Sequence, residues 1–316
     1  MKLIRTIAGI LLALGFAGGF LSGARSAPDR VVTIGFQKYG NLILLKGRHR
    51  LESSLSALGF SVEWKEFPSG PPLLEALNAG GVDFGQAGET PPIFAQAAGV
   101  PFVYVAHEPP APRGEAILVP RDTPIKTLAD LKGRKVAFNK GSNVHFLLVR
   151  ALEHAGLKYS EIEPIYLAPA DARAAFERGA VDAWVIWDPF LAAAQAATGA
   201  VTLTDAVGLA PNRQYYFASQ KFAETNPAAV DAIVAAIAEV DRRIVGRETE
   251  VAIELSVQIG IPASVLETAL KRLAYGAHPM DDEAIADQQR IADTFYALGL
   301  VPKQIVVSDA VRKPTS

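Results

Sequence analysis

From Val31 onward the chain alternates short apolar runs with segments of helical period, and it does so twice. The first series reads "VVTIGF", a helix from Leu42 to Leu58, "VEWKEF", a helix over Pro72 to Asn78, "VDFGQ", a helix from Pro91 to Ala98, and "FVYVAHE". The second reads "EAILV", "KVAF", a helix after Ser142, "EPIYL", a helix from Ala170 to Glu177, "DAWVIW" and a helix from Pro189 to Ala197. Such alternation demands a largely parallel sheet covered by helices on both faces, because a parallel neighbour is reached only through a crossover. The fold class is therefore α/β.

The two series are separated by "EPPAPRGE", residues 108–115, a proline-rich stretch that continues neither strand nor helix and reads as a crossing between lobes. "NRQYYFAS" reads as a strand leading out again, and beyond it the chain is almost entirely helical. Crossings near residues 115–119 and 214–219 thus bracket an inserted domain. The expected division is a discontinuous lobe 1 of residues 27–114 and 220–316, with lobe 2 at residues 115–219. A single sheet would need about ten strands, at the upper end of what open sheets sustain. Two lobes on two hinge crossings make a clamshell with a ligand cleft between them, and closure around a ligand is the motion it supports.

Residues 1–26 differ from the rest: Lys2 and Arg5 lead, "IAGILLALGFAGGFL" follows, and Ala24 and Ser26 close the segment. This is the pattern of a secretory signal peptide cut after Ser26, and the run is short of the ~20 apolar residues a span needs. The chain has no cysteine, which excludes disulfides, thiolate metal sites, cysteine nucleophiles and a lipid-modified N-terminal cysteine. An exported protein without a lipid anchor is expected in a Gram-negative periplasm. A net charge of -2 without a Lys/Arg stripe offers no footprint for nucleic acid.

In an open α/β sheet ligands sit beyond the carboxyl ends of the strands. Those positions hold Gln37 with Lys38 and Tyr39, then Gly88-Glu89-Thr90, then Asn139-Lys140-Gly141-Ser142, and last Trp187-Asp188. Thr90 and Ser142 each read as an N-cap, and Gly88 and Gly141 lack the Cβ that would keep a ligand from the backbone. Two helix N-termini facing one cleft would hold an anion from opposite sides. Each residue also has a local reading: capping for Thr90, Ser142 and Asp188, packing for Trp187 and His145, solvent for Lys140. Glu89 sits awkwardly beside an anion unless its side chain turns to a backbone donor or the ligand carries an amine.

Enzyme chemistry finds little support. Ser142 and His145 at i and i+3 have no identifiable carboxylate to orient a catalytic pair. His49, His107, His145, His154 and His278 are scattered without ligand spacing, so no metal is expected. Neither a Walker A run nor a GxGxxG follows a strand, and no cofactor is expected.

The stretches "GFQKYGNLILLK", "TPPIFAQAAG", "YVAHEPPAPRGEAILVP", "LKGRKVAFNKGSNVHFLL" and "PADARAAFERGAVDAWVIWDPFLAAA" resemble the periplasmic aliphatic sulfonate-binding proteins of sulfonate ABC transporters, over residues 30 to 225. The resemblance implies a type II periplasmic binding fold, capture of a small organic anion, and delivery by a monomer to a membrane permease driven by an ATPase. It places sulfonate binding on Gln37, Gly88, Thr90, Asn139, Gly141 and Ser142, with His145, Trp187 and Asp188 near the organic part. Where that family usually has Asp in the Gly-Asp-Thr turn, this chain has Glu89. Binders of taurine, aromatic sulfonates, nitrate and pyrimidine precursors share the general plan. So does an aryl sulfinate desulfinase, whose cysteine nucleophile has no counterpart here.

Overall fold

The computed structural model describes residues 30–38 and 40–313, so the expected signal peptide and Tyr39 lie outside the described residues. Ten strands follow in chain order: β1 (Arg30–Phe36), β2 (Phe60–Glu66), β3 (Phe84–Gly88), β4 (Phe102–His107), β5 (Glu115–Val119), β6 (Lys135–Phe138), β7 (Glu163–Tyr166), β8 (Ala183–Trp187), β9 (Val201–Asp205) and β10 (Gln214–Ser219). The helices lying between strands up to β9 are α1 (Leu42–Gly47), α2 (Arg50–Ser56), α3 (Gly70–Asn78), α4 (Thr90–Ala97), α5 (Asn143–His154), α6 (Pro169–Glu177) and α7 (Phe190–Thr198). The C-terminal set is α8 (Gln220–Thr225), α9 (Pro227–Ile244), α10 (Glu248–Ile259), α11 (Ala263–Leu270) and α12 (Asp282–Ala297).

The strands form two five-stranded sheets, ordered β2-β1-β3-β10-β4 and β7-β6-β8-β5-β9. In each, the first three strands are parallel, and the fourth runs antiparallel to both of its neighbours. That fourth strand is in each case the one adjoining a hinge crossing. Interior strands read as continuous apolar runs because both faces are covered. Every residue of β5 and of β8 is buried.

Three expectations need correction. The strand Gln214–Ser219, assigned from sequence to the second lobe, lies inside the first sheet, with Gln214 opposite Gly88 and Tyr215 opposite His107. The helix expected from Leu42 to Leu58 is two helices, broken at Arg48 and at His49, whose φ is 51°. The break lets the end of α1 meet α10: a Cβ on Gly47 would sit 2.2 Å from Gln258 Nε2, and Arg48 Nη2 pairs with Glu254 Oε2 at 2.8 Å. The third correction is β9, which the sequence reading did not identify; it is a half-exposed edge strand, "VTLTD".

The lobes pack on each other along one face, where Phe94 of α4 and Phe295 of α12 meet His145 and Phe146 of α5. No described helix is long and apolar enough to cross a membrane.

Candidate functional site

The carboxyl ends of β1, β3, β6 and β8 carry the residues singled out from the sequence. The lobes approach closely there at Gly88 and Asn143, the first residue of α5. A Cβ added to Gly88 would stand 2.9 Å from Asn143 Cβ and Cγ, so only a glycine lets the two lobes come this close. The N-terminal ends of α4 and α5 therefore lie side by side.

On the α4 side, Thr90 is the first helical residue and not the cap, with Pro91 and Pro92 behind it. Two of the first N–H groups of that helix are thus absent, and the backbone there attracts an anion less than an ordinary helix end would. What remains is the hydroxyl: Thr90 is fully buried and its Oγ1 has no hydrogen-bond partner among the described residues. Leaving such a group unpaired costs about 1–3 kcal/mol, which a ligand oxygen would recover.

On the α5 side, Ser142 holds the N-cap position, but its side chain makes no capping bond. Its Oγ donates instead to the Asn139 carbonyl at 2.6 Å, closing the turn on itself. Gly141, with φ 75°, donates its N–H to His145 Nδ1 at 3.3 Å. That amide, expected to face the ligand, is occupied within the turn. Asn139 Oδ1 is buried without a partner, and a half-turn of the amide would present Nδ2 in its place.

His145 is buried among Phe138, Tyr159, Phe94 and Phe295. Burial, helped by the nearby Lys140 charge, pushes its pKa down to about 4, so the ring is neutral at physiological pH and can accept from Gly141. Its place is that of a brace for the turn; Nε2 has no partner.

Glu89 resolves the awkwardness noted in the sequence. It is fully buried and turns away to accept the Arg213 backbone N–H on Oε2 at 3.0 Å, with the Asn212 backbone amide also nearby. Burial is the main reason its pKa rises to about 8, and the Asp287 charge adds to it. Glu115 at the start of β5 is also buried; it accepts from Asn143 Nδ2 and keeps one oxygen without a partner. Burial first, then the Glu89 charge, holds Glu115 well above the usual carboxylate range.

The remaining predicted residues lie around this junction. Gln37 Nε2 donates to the Gln86 carbonyl at 3.0 Å. Trp187 is 3% exposed, paired with Glu115 across β8 and β5, and edge-on to Phe190. Asp188 Oδ1 accepts the Ala192 N–H at 3.0 Å, but the N-cap position of α7 belongs to Pro189, so the expected N-cap is displaced by one residue: the Asp188 side chain reaches the first turn from just before the cap. Asp188 also meets Arg272 of the first lobe at 3.3 Å. Burial raises Asp188 to about 6 against the opposing effect of Arg272.

Four polar residues of this region went unrecognised in the sequence: Arg272, Asn143, Glu115 and Glu108. Glu108 accepts from Tyr216 Oη at 2.7 Å and Asn41 Nδ2 at 3.1 Å, and burial, together with the Asp241 carboxyl it faces, holds it well above the usual carboxylate range. It lines a cavity of about 10 Å³ with Asn41, Asn212 and Gln214, and a second cavity of about 30 Å³ lies between Lys38, Ile43, Asp188 and Leu270. Spaces of that size hold one or two waters, so an organic ligand enters only as the lobes part. A groove of about 480 Å³ between α5 and α12 is larger but contains none of the predicted residues. Another of about 340 Å³, apolar, borders Gly141 and Lys140 from the α3 and α4 side.

Comparison with known proteins gives consistent likenesses. Residues 57–240, more than half of the chain, match the family described as NMT1/THI5 like. The putative aliphatic sulfonates-binding protein of Escherichia coli is 43% identical over 98% of this chain and 95% of its own length. The crystal structure of the periplasmic aliphatic sulphonate binding protein from Escherichia coli superimposes with a TM-score of 0.81 at 44% identity, covering 90% of this chain and 93% of that one. The alkanesulfonate-binding protein from Xanthomonas axonopodis pv. citri bound to MOPS gives 0.85 at 38% identity, covering 92% and 100%.

Proposed function

The chain belongs to the NMT1/THI5-like family, and from that premise we propose that it captures aliphatic sulfonates between its two lobes as the solute-binding component of an ABC importer. It is a binding protein, not an enzyme, as are the sulfonate-binding relatives it matches along nearly its whole length. The observation that carries the reading is this identity over both lobes at once, since the cleft is made by both. The buried Thr90 hydroxyl at the lobe junction, without a partner among the described residues, supports it, because a sulfonate oxygen accepts what a hydroxyl can donate.

In this reading Gln37, Thr90, Asn139 and Ser142 surround the sulfonate, with Gly88 and Gly141 allowing the approach. Trp187 and Asp188 border the organic part, and His145 braces the turn. Glu89 stays out of the anion's reach through its bond to the Arg213 amide. The protein works as a periplasmic monomer that hands its ligand to an inner-membrane permease coupled to an ATPase. Periplasmic placement is supported by the naming of the relatives and by the signal-like N-terminal segment.

One observation favours an amine-bearing sulfonate over a plain alkanesulfonate. Glu89 and Glu115 each bury an oxygen without a partner among the described residues; burial favours their protonated forms in the free protein, and an ammonium group arriving there would be held as they ionise.

Calorimetric titration of residues 27–316, refolded to strip carried ligand, with ethanesulfonate, octanesulfonate, taurine, benzenesulfonate, sulfate and nitrate tests both readings. Binding of an organosulfonate at about micromolar affinity without competition from sulfate is expected. A preference for taurine over ethanesulfonate would place the amine at the carboxylates, and heat from nitrate alone would overturn the sulfonate reading.

A further inference from the structure

At the end of β4, away from the predicted cleft residues, His107, His278 and Asp281 bring three ligand atoms within 4.8 Å of one another. From their geometry we propose a divalent transition-metal site, of the zinc type, held by His107 Nε2, His278 Nδ1 and Asp281 Oδ2.

The two histidines are held as a pair by the backbone. His107 N–H donates to the His278 carbonyl at 2.9 Å and His278 N–H to the His107 carbonyl at 3.1 Å, so the side chains leave neighbouring points of one small ladder. Their rings stand 4.1 Å apart, centroid to centroid, at 71°. Asp281 is fixed by its role as N-cap of α12: Oδ1 accepts the Ala284 N–H at 2.8 Å. Its second oxygen, Oδ2, is 3.3 Å from His107 Nε2 and 3.7 Å from His278 Nδ1. Ligand atoms at about 2.1 Å from a tetrahedral zinc ion are roughly 3.4 Å apart, so two of the three edges are already near the right length.

An independent observation concerns the His107 ring. Its Nδ1 faces the Glu108 carbonyl at 3.0 Å, and a carbonyl can only accept, so Nδ1 carries the hydrogen. That bond leaves Nε2 to offer its lone pair to the site; Nε2 is buried, and the group it faces at 3.3 Å, Asp281 Oδ2, is itself one of the proposed ligands. A metal-binding histidine is commonly held by a hydrogen bond from its other nitrogen to a carbonyl, which fixes tautomer and ring plane. His107 has a side chain 1% exposed and forms the floor, whereas those of His278 and Asp281 are 45% and 47% exposed and leave an approach from solvent. The nearby Arg213 would repel a cation if bare, but its guanidinium is paired with Asp287 at 2.8 Å and with Glu283. Two imidazoles and one carboxylate with a free position suit zinc, with nickel and copper as competitors.

The ion would tie the end of β4 to the segment before α12, both in the first lobe, and needs nothing from the sulfonate reading. The competing account of the same contacts is a His107–Asp281 ion pair with no metal.

The test uses the untagged mature chain, dialysed against EDTA and titrated with Zn²⁺ in competition with a chromogenic chelator. One equivalent bound at micromolar affinity or tighter, with a raised melting temperature, is expected. His278→Ala and Asp281→Asn should each weaken binding at least tenfold while melting as the parent does in EDTA, since His278 is at the surface and Asn can still cap α12. No saturable Zn²⁺ binding, or binding that neither substitution changes, would overturn the site.

Discussion

Arg272 reaches from the end of α11 in the first lobe to Asp188 at the root of α7 in the second, with Nη1 3.3 Å from Oδ2 and 3.4 Å from Oδ1. The same guanidinium donates to Gln195 Oε1 at 2.9 Å, one helical face farther along α7. Asp188 is 1% exposed, so the partner across the cleft is what keeps a buried carboxylate tolerable.

Replacing Arg272 by Met keeps much of the stem and removes the charge. Stability to urea should fall by about 3 kcal/mol, because Asp188 is left buried and unpaired. Small-angle scattering should show a larger radius of gyration as the lobes part. An unchanged urea midpoint and an unchanged radius would mean that the contact does not tie the lobes together.

Thr90→Val separates ligand binding from folding. The substitution keeps the shape and removes a hydroxyl that is buried without a partner, so the free protein should be as stable as before or slightly more so. Sulfonate affinity should drop by roughly ten- to a hundredfold, the worth of one hydrogen bond to a charged group. Titration calorimetry alongside urea melts reads both; undiminished affinity would remove Thr90 from the site.

Glu89 sets a pH dependence whose sign follows from burial. Its pKa is about 8 in the folded protein against 4.5 for the free side chain, so between these values the folded state holds a proton that the unfolded state has lost. Stability from this group is complete below about pH 4.5 and is lost as the pH rises towards 8. The parent should therefore weaken relative to Glu89→Gln by upwards of about 2 kcal/mol between pH 5 and pH 8. Parallel pH profiles in urea for both proteins would reveal no difference in slope if Glu89 were ionised throughout.

How much of this could be read beforehand depends on the range of the interaction. The interior strands announced themselves because burial on both faces makes "EAILV" and "DAWVIW" apolar after their first, acidic residue. β9 did not, since an edge strand with exposed Val201 and alternating threonines carries little apolar signal. Gly88 and Thr90 were legible as unusual residues at a strand end, but the reason for the glycine is Asn143 of the other lobe. Arg272 drew no notice because its partner is 84 residues away. The histidines looked scattered for the same reason: His107 and His278 become neighbours only through a two-residue backbone ladder that no spacing rule describes.

The placement of β10 between β3 and β4 bears on the order in which the chain can acquire its shape. A chain made from its N-terminus presents β1, β2 and β3 as one piece and β4 as another, with no direct pairing to join them. The second sheet, in contrast, draws all five of its strands from the uninterrupted stretch 115–205 and is complete while the first is still in two parts. Closure of the first sheet waits for Gln214–Ser219, after every strand of the second sheet has been made. This long-range dependence delays the finished molecule until more than two thirds of the chain is available.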